Sequence, residues 1–324
     1  MRYFIFKRLY DYIWKNADIG DKKIKSKEIK PKGIIKKEYS TPFPKNKTIK
    51  YKSNELKFNI YYDENIKTRP VIIDIHGGGW KYGDKDLNDN FCYHLAKNGF
   101  NIVSLSYSLG YKAKLINQLQ EIHFLINHLI SNSENFFLDM SSLFLTGDSA
   151  GGELAFLYTA IIVNNFKYGE IYKIFNKNNI NVKGIALNHA TCYLKDLGDF
   201  PGHKFLTWIC KNGIKRMLYG PFFKQRKIYT KTDPNDIFPT SNPFPPILIL
   251  TSRGDKLYSF QSILLNDDCN LYAIPHKFIN LDNEKAIHVF NVLYPNLDDS
   301  IYFNNEITIF FKTELNKKEE ETNK

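Results

Sequence analysis

Residues 147–151 read Gly-Asp-Ser-Ala-Gly, a serine between glycines at the point where an apolar run gives way to a helical pattern. Leu143-Phe144-Leu145 before it has the character of a buried strand, and Leu154, Ala155, Leu157, Tyr158 and Ile161 after it recur at helical spacing. In a strand-turn-helix setting, G-x-S-x-G is a nucleophile elbow. Its glycines permit a tight turn and close backbone approach, and the serine at the apex presents its Oγ. By composition alone the pattern arises in roughly one chain in twenty of this length. Ser149 therefore counts only if the chain also supplies a base, an acid and oxyanion donors.

A serine hydroxyl is a poor nucleophile at neutral pH, and in doubly wound hydrolases its partners follow in the order Ser, Asp/Glu, His. Asp255, in PPILILTSRGDKLYS, comes four residues after an apolar strand pattern ends at Thr251, and His288, in EKAIHVFNV, lies 33 residues further on. Asp267, Asp268 and Asp282 are rival acids, but none closes a clean buried strand. His276 and His189 are rival bases; His276 stands at a strand end, and His189 precedes the acid. Asp148, beside the serine, reads as a turn-stabilising or supporting residue.

Acyl transfer also needs N–H donors aimed at the developing oxyanion. His76-Gly77-Gly78-Gly79-Trp80 follows directly on the strand pattern of 71–75. Bare glycine backbone can approach a reacting carbonyl there, with the Ala150 N–H as the partner from the elbow. A phosphate cradle is the competing use of such glycines, but neither P-loop nor dinucleotide-binding spacing accompanies them.

The elements that must carry these residues alternate along the chain. Lys57–Tyr62, Val71–Ile75, Asn101–Tyr107, 143–146, Val182–Leu187, Ile247–Thr251 and Leu271–Ile274 read as strands. Helical patterns cover 86–98, 113–131, the stretch after Ser149 and 298–314. Such alternation predicts a mostly parallel sheet covered on both faces. Residues 191–240, rich in aromatics, Gly and Pro, break the rhythm and read as an insertion over the active edge, with Tyr193, Phe200, Phe205, Trp208, Phe222 and Phe223 as candidate pocket walls. The expected organisation is a basic segment over residues 1–50, a catalytic domain over 51–314 and a frayed tail over 315–324.

The net charge of +11 is local: residues 1–50 hold 15 Lys/Arg against 5 Asp/Glu, and the remaining 274 hold 30 against 29. No nucleic-acid-binding signature accompanies this charge, so no nucleic-acid partner is expected. Phe6, Leu9, Tyr10, Ile13 and Trp14 share one helical face near the start of the chain. That face predicts a helix packed on the body as a lid or cap, with peripheral membrane contact as the alternative. Cys92, Cys192, Cys210 and Cys269 are scattered, which suggests reduced thiols in a cytoplasmic protein and no metal site.

With HGGGW at 76–80, GDSAGG at 147–152, Asp255 and His288, the chain resembles the α/β-hydrolase superfamily over about residues 57–314. Within it, the chain is similar to hormone-sensitive-lipase-like esterases and neighbouring H-G-G-G-W hydrolases. The resemblance implies an α/β-hydrolase fold of roughly eight strands with helices on both faces and a cap insertion. It implies carboxylesterase activity on a small-molecule ester, with no metal or cofactor. It makes Gly78, Gly79 and Ala150 the oxyanion donors, with Gly77 shaping the loop, His76 bracing it and Trp80 bordering the pocket. Lipase-like esterases carry an Asp-Pro-Leu stretch at the acid, where this chain reads Asp255-Lys256-Leu257. The HGGGW tryptophan is also similar to arylformamidases, which cleave an N-formyl group with the same machinery. The expectation is thus a serine esterase acting on short-chain or acetyl esters through Ser149, Asp255 and His288. A formamide or amide hydrolase and a non-catalytic hydrolase-fold binding protein are the alternatives.

Overall fold

The computed structural model describes residues 2–25, 30–43, 55–65, 68–164, 175, 180–196, 204–225, 231–240, 243–256 and 258–322. Phe200, Leu257 and the side chains of Trp14 and Trp208 lie outside this set. The centre is an 8-stranded sheet in the order β1-β2-β4-β3-β5-β6-β7-β8. Its strands are β1 (Ile34–Pro42), β2 (Glu55–Asp63), β3 (Arg69–Ile75), β4 (Asn101–Leu105), β5 (Leu138–Asp148), β6 (Val182–Asn188), β7 (Ile247–Ser252) and β8 (His276–Leu281). β1 and β2 are antiparallel to their neighbours, and the strands from β4 to β8 run parallel.

The apolar runs are long because both faces of the parallel strands are covered, so alternation of polar and apolar residues is lost. Val71, Ile73 and Ile75 of β3 enter one core, while Ile72 enters the other. The first core takes side chains from α3 (Leu115–Ser131), α5 (Ala150–Asn164) and α8 (Ser259–Leu271); the second is closed by α2 (Asp89–Lys97), α9 (Phe290–Leu293) and α10 (Asp298–Thr322). A short α4 (Ser133–Phe136) leads into β5. α6 (Lys204–Tyr219) and α7 (Pro234–Ile237) lie between β6 and β7, within the expected insertion. α1 (Arg2–Lys25) packs on α6, with Phe6 fully buried where Gly213 leaves room for its ring.

Several sequence expectations change. Leu271–Ile274 is not a strand: Leu271 ends α8 and is 71% exposed, and Ala273 turns with φ 51°. Its apolar residues look like a strand, yet Ile274 N–H returns to the Cys269 carbonyl and ends the helix. The last strand begins at His276, where the polar-apolar mixture of an edge had hidden it. β1 falls inside residues 1–50, so a boundary at residue 50 would separate two paired strands. Its IKKEYST pattern was missed because an edge strand presents Lys and Glu to water. α10 continues through the expected frayed tail to Thr322. The helix expected over 86–98 is shorter, Asp89–Lys97, and buries Phe91, Cys92, Tyr93 and Leu95.

Candidate active site

Strand order reverses between β3 and β5, so the loops leaving their carboxyl ends diverge and open a crevice. The H-G-G-G-W loop leaves β3 and the elbow leaves β5, with Ile75 paired to Gly147. His189 follows β6, Asp255 follows β7 and His288 follows β8. The glycine loop, the elbow, Asp255 and His288 thus all follow the carboxyl ends of parallel strands.

Ser149 turns the chain from β5 into α5 with φ 50°, a left-handed conformation that costs a non-glycine residue about 1 kcal/mol or more. Three backbone bonds hold it: its N–H donates to Asn188 O, and its carbonyl accepts from Glu153 and Thr191 N–H. The helix then crosses so close to β3 that a Cβ on Gly151 would lie 1.9 Å from the Ile75 carbonyl oxygen. Ala150 is the first residue of α5, so its N–H has no intrahelical acceptor. Among the described residues, no protein acceptor takes the N–H of Gly78, Gly79 or Ala150.

The glycine loop is held from beneath. Asp148 Oδ1 accepts the Gly77 N–H at 3.0 Å and an Asn88 Nδ2 proton at 2.9 Å. Asn88 Nδ2 also reaches Asp74 Oδ2 at 3.1 Å, so one amide bridges two buried carboxyls. Burial lifts Asp148, against bonds from Asn88 and Gly77; Asp74 rises well above its ordinary value through burial and then the Asp148 charge. The His76 ring stacks on Tyr107 with centroids 4.3 Å apart, and Tyr107 donates to the His76 and Gly77 carbonyls at 2.9 and 3.1 Å. The His76 ring itself donates from Nδ1 to the Gly77 carbonyl at 2.8 Å. Trp80, expected at the pocket border, is instead 2% exposed, with its indole N–H on Glu153 Oε2 at 3.0 Å. It ties the loop to α5.

Asp255 and His288, distant in sequence, meet at 2.7 Å between Oδ2 and Nδ1. Asp255 Oδ1 takes the Tyr258 N–H at 3.0 Å. Burial pushes the carboxyl up, but the hydrogen bond and charge of His288, the nearby His189 and the Tyr258 N–H outweigh it and hold it below its ordinary value. His288 keeps partial exposure while Asp255 is buried, which leaves the ring facing the open edge. Tyr258 and His189 flank that ring at centroid distances of 5.0 and 5.7 Å.

The rival residues are otherwise engaged. His276 holds Ile274 O at 2.8 Å and Asn266 Oδ1 at 3.2 Å on edge strand β8. His189 is buried, and burial followed by the nearby His288 drives it down to about 3, so it is neutral. Ser252 Oγ–H donates to Ala286 O, so its oxygen accepts the His189 Nε2–H at 3.1 Å. Asp282 pairs with Arg253 in the open, Asp268 accepts from Tyr193 OH, and Asp267 takes an Asn266 Nδ2 proton. Asn88, Tyr107 and Glu153 carry no sequence signal of this role, because their partners lie on elements far away in the chain. Tyr10 was assigned to a lid face but not to the loop, where its hydroxyl donates to Gly79 O at 3.0 Å.

Two buried carboxyls beside this machinery set a pH dependence of stability. Burial lifts Glu153 to about 8, against the Trp80 N–H and aided by Asp233, and lifts Glu121 to about 7 against bonds from Ser108. Both folded values exceed the ordinary value of about 4.3, so the folded chain holds extra protons in between. Their contribution to stability is full below about pH 4 and declines as pH rises to about 8. Glu153→Gln removes most of this slope, raising the urea midpoint relative to wild type more at about pH 8 than at about pH 5. An equal difference at both values would remove Glu153 as the cause.

Comparison with known proteins now adds the family. The BD-FAE family model matches residues 58–268. The chain belongs to the BD-FAE family. This α/β-hydrolase is 23% identical over 237 residues to a protein of Acanthamoeba polyphaga mimivirus named as an α/β hydrolase, covering 69% of this chain and 60% of that one. It is 28% identical over 94 residues to ethyl acetate hydrolase of Pseudomonas putida, covering 29% of this chain and 30% of that one. The chain thus spans less than two thirds of the length of either relative. Esterase B of Lactobacillus rhamnosis superposes on this BD-FAE chain with a TM-score of 0.86 at 22% identity, over 99% of this chain and 100% of that one. The likeness fixes the α/β-hydrolase fold.

Proposed function

We propose that the protein is a serine carboxylesterase acting on short-chain or acetyl esters, with Ser149 as nucleophile. The observation that carries this reading is the 2.7 Å bond between Asp255 and His288 at the strand edge where Ser149 forms the elbow. Asp255 accepts the Nδ1–H and so leaves Nε2 of His288 as the base. Nε2 takes the Ser149 proton as Oγ attacks the acyl carbon, and the N–H groups of Gly78, Gly79 and Ala150 receive the negative charge on the carbonyl oxygen. Collapse breaks the bond to the alcohol, which leaves with the proton from His288. Water, deprotonated by the same nitrogen, then attacks the Ser149 ester and releases the carboxylic acid. Names among the relatives support short acyl chains: one is an ethyl acetate hydrolase, and esterase B was crystallised with a tributyrin phosphonate inhibitor. Helices α1 and α6 serve as the cap, because Tyr10 reaches the Gly79 carbonyl while Phe6 seats against Gly213.

The test is hydrolysis of p-nitrophenyl esters across acyl lengths, beside an N-formyl arylamine, with a fluorophosphonate adduct mapped by mass spectrometry. Acetate or butyrate turnover and an adduct on Ser149 are expected. Turnover of the formamide alone would transfer the same machinery to an amide bond. A folded protein with neither turnover nor adduct would leave a binding module.

Asp148 acts here as a positioning residue. A Cβ on Gly77 would lie 2.1 Å from Asp148 Oδ2, so Gly77→Ala drives apart the two groups that hold the loop. We expect kcat to fall about 10²-fold with little change in KM, as for loss of one oxyanion donor. Unchanged kcat in this variant would separate the loop from the chemistry.

A further inference from the structure

Helix α1 has two faces with different tasks. Its inner face carries Phe6 and Tyr10, buried against α6 and the glycine loop. Residues 4, 5, 8, 12 and 15 project from the other side within a sector of about 100°. Phe4 is 58%, Ile5 39% and Tyr12 66% exposed, and Arg8 and Lys15 are exposed among them. The Arg8 guanidinium lies over the Phe4 ring, 4.5 Å from its centroid, so cation and aromatic share one surface. Asp11, at the rim of this stripe, is paired with Lys81 at 3.1 Å and does not cancel its charge. Residues 1–50 carry 15 Lys/Arg against 5 Asp/Glu, while the rest of the chain is near neutral.

A face that exposes large apolar side chains and cations together fits the boundary between water and acyl chains, where the apolar groups enter and the cations meet acidic headgroups. We propose that the outer face of α1 docks on an anionic phospholipid surface. Phe4, Ile5 and Tyr12 enter the headgroup region, and Arg8 and Lys15 meet lipid phosphates and carboxylates. This is the stripe opposite the one that the sequence pattern suggested for membrane contact, because Phe6 and Tyr10 are spent on the protein itself. Lipid docking stands apart from the esterase reading, and its readout needs no turnover.

The test is cosedimentation of the full chain with phosphatidylcholine vesicles, with and without about 30% phosphatidylserine. The expected result is pelleting with the anionic vesicles, weakened by salt, and little with the neutral ones. Arg8→Gln with Lys15→Gln weakens binding by about tenfold or more, since each basic group near such a surface contributes about fivefold. Phe4→Ser with Tyr12→Ser loses at least as much, and all these side chains are exposed, so the thermal midpoint stays near that of wild type. Equal pelleting with neutral vesicles, or variants that bind like wild type, overturns the proposal. No pelleting, with self-association abolished by the Phe4 and Tyr12 changes, overturns it in favour of an interface between copies.

Discussion

Ser149→Ala leaves a folded protein that hydrolyses p-nitrophenyl acetate about 10⁶-fold more slowly in kcat than wild type. The elbow survives because the bonds that hold residue 149 are made by its backbone, to Asn188, Glu153 and Thr191. Its φ of 50° is equally disfavoured for serine and alanine, so the exchange adds no strain. In the proposed mechanism what disappears is the atom that forms the acyl-enzyme, and the residual rate over water comes from oxyanion stabilisation and substrate binding. Measurement of single-turnover rates beside a thermal melt checks both halves of the claim. A folded Ser149→Ala enzyme within a hundredfold of wild type would remove Ser149 from the chemistry.

Asp255→Asn costs about 10⁴-fold in kcat near neutral pH, through the histidine tautomer alone. The Tyr258 N–H needs an acceptor at the Oδ1 position, so the new amide keeps its oxygen there. Its NH₂ then faces His288 Nδ1 in place of the carboxylate 2.7 Å away. Nδ1 becomes the acceptor, the proton moves to Nε2, and the base that takes the Ser149 proton is blocked. KM should change little, because Asp255 is buried behind the ring. Proton NMR of the imidazole at low temperature reads the tautomer directly. Loss of activity with the Nδ1–H tautomer retained would refute this account.

The strongest elements of the fold were legible for a local reason. Val71–Ile75 and Ile247–Ser252 are buried on both faces, so each opens with consecutive apolar residues, Val71-Ile72-Ile73 and Ile247-Leu248-Ile249-Leu250. Edge strands lack that signal. Ile34–Pro42 is mostly half-buried or exposed, with Thr41 its one buried residue, and His276–Leu281 has no fully buried residue. Leu271–Ile274 misled because a few apolar residues at a helix end resemble a short strand until the return bond to Cys269 is known.

By itself the sequence determined the order serine, acid, histidine and the two glycine motifs placed after buried strands. These are requirements written along the chain: a tight turn needs glycine where it occurs, and the triad order follows the order of strands in a doubly wound sheet. Only the tertiary structure brings Asp255 against His288, while the rivals Asp282 and His276 bond elsewhere. It also placed Asn88 between Asp74 and Asp148, put Trp80 on Glu153 and set Tyr10 on Gly79. A polar side chain's role depends on the partner that meets it when buried, and that partner is 14 to 73 residues away in these contacts. Proximity of that kind is a property of the packed sheet, which no window of sequence contains.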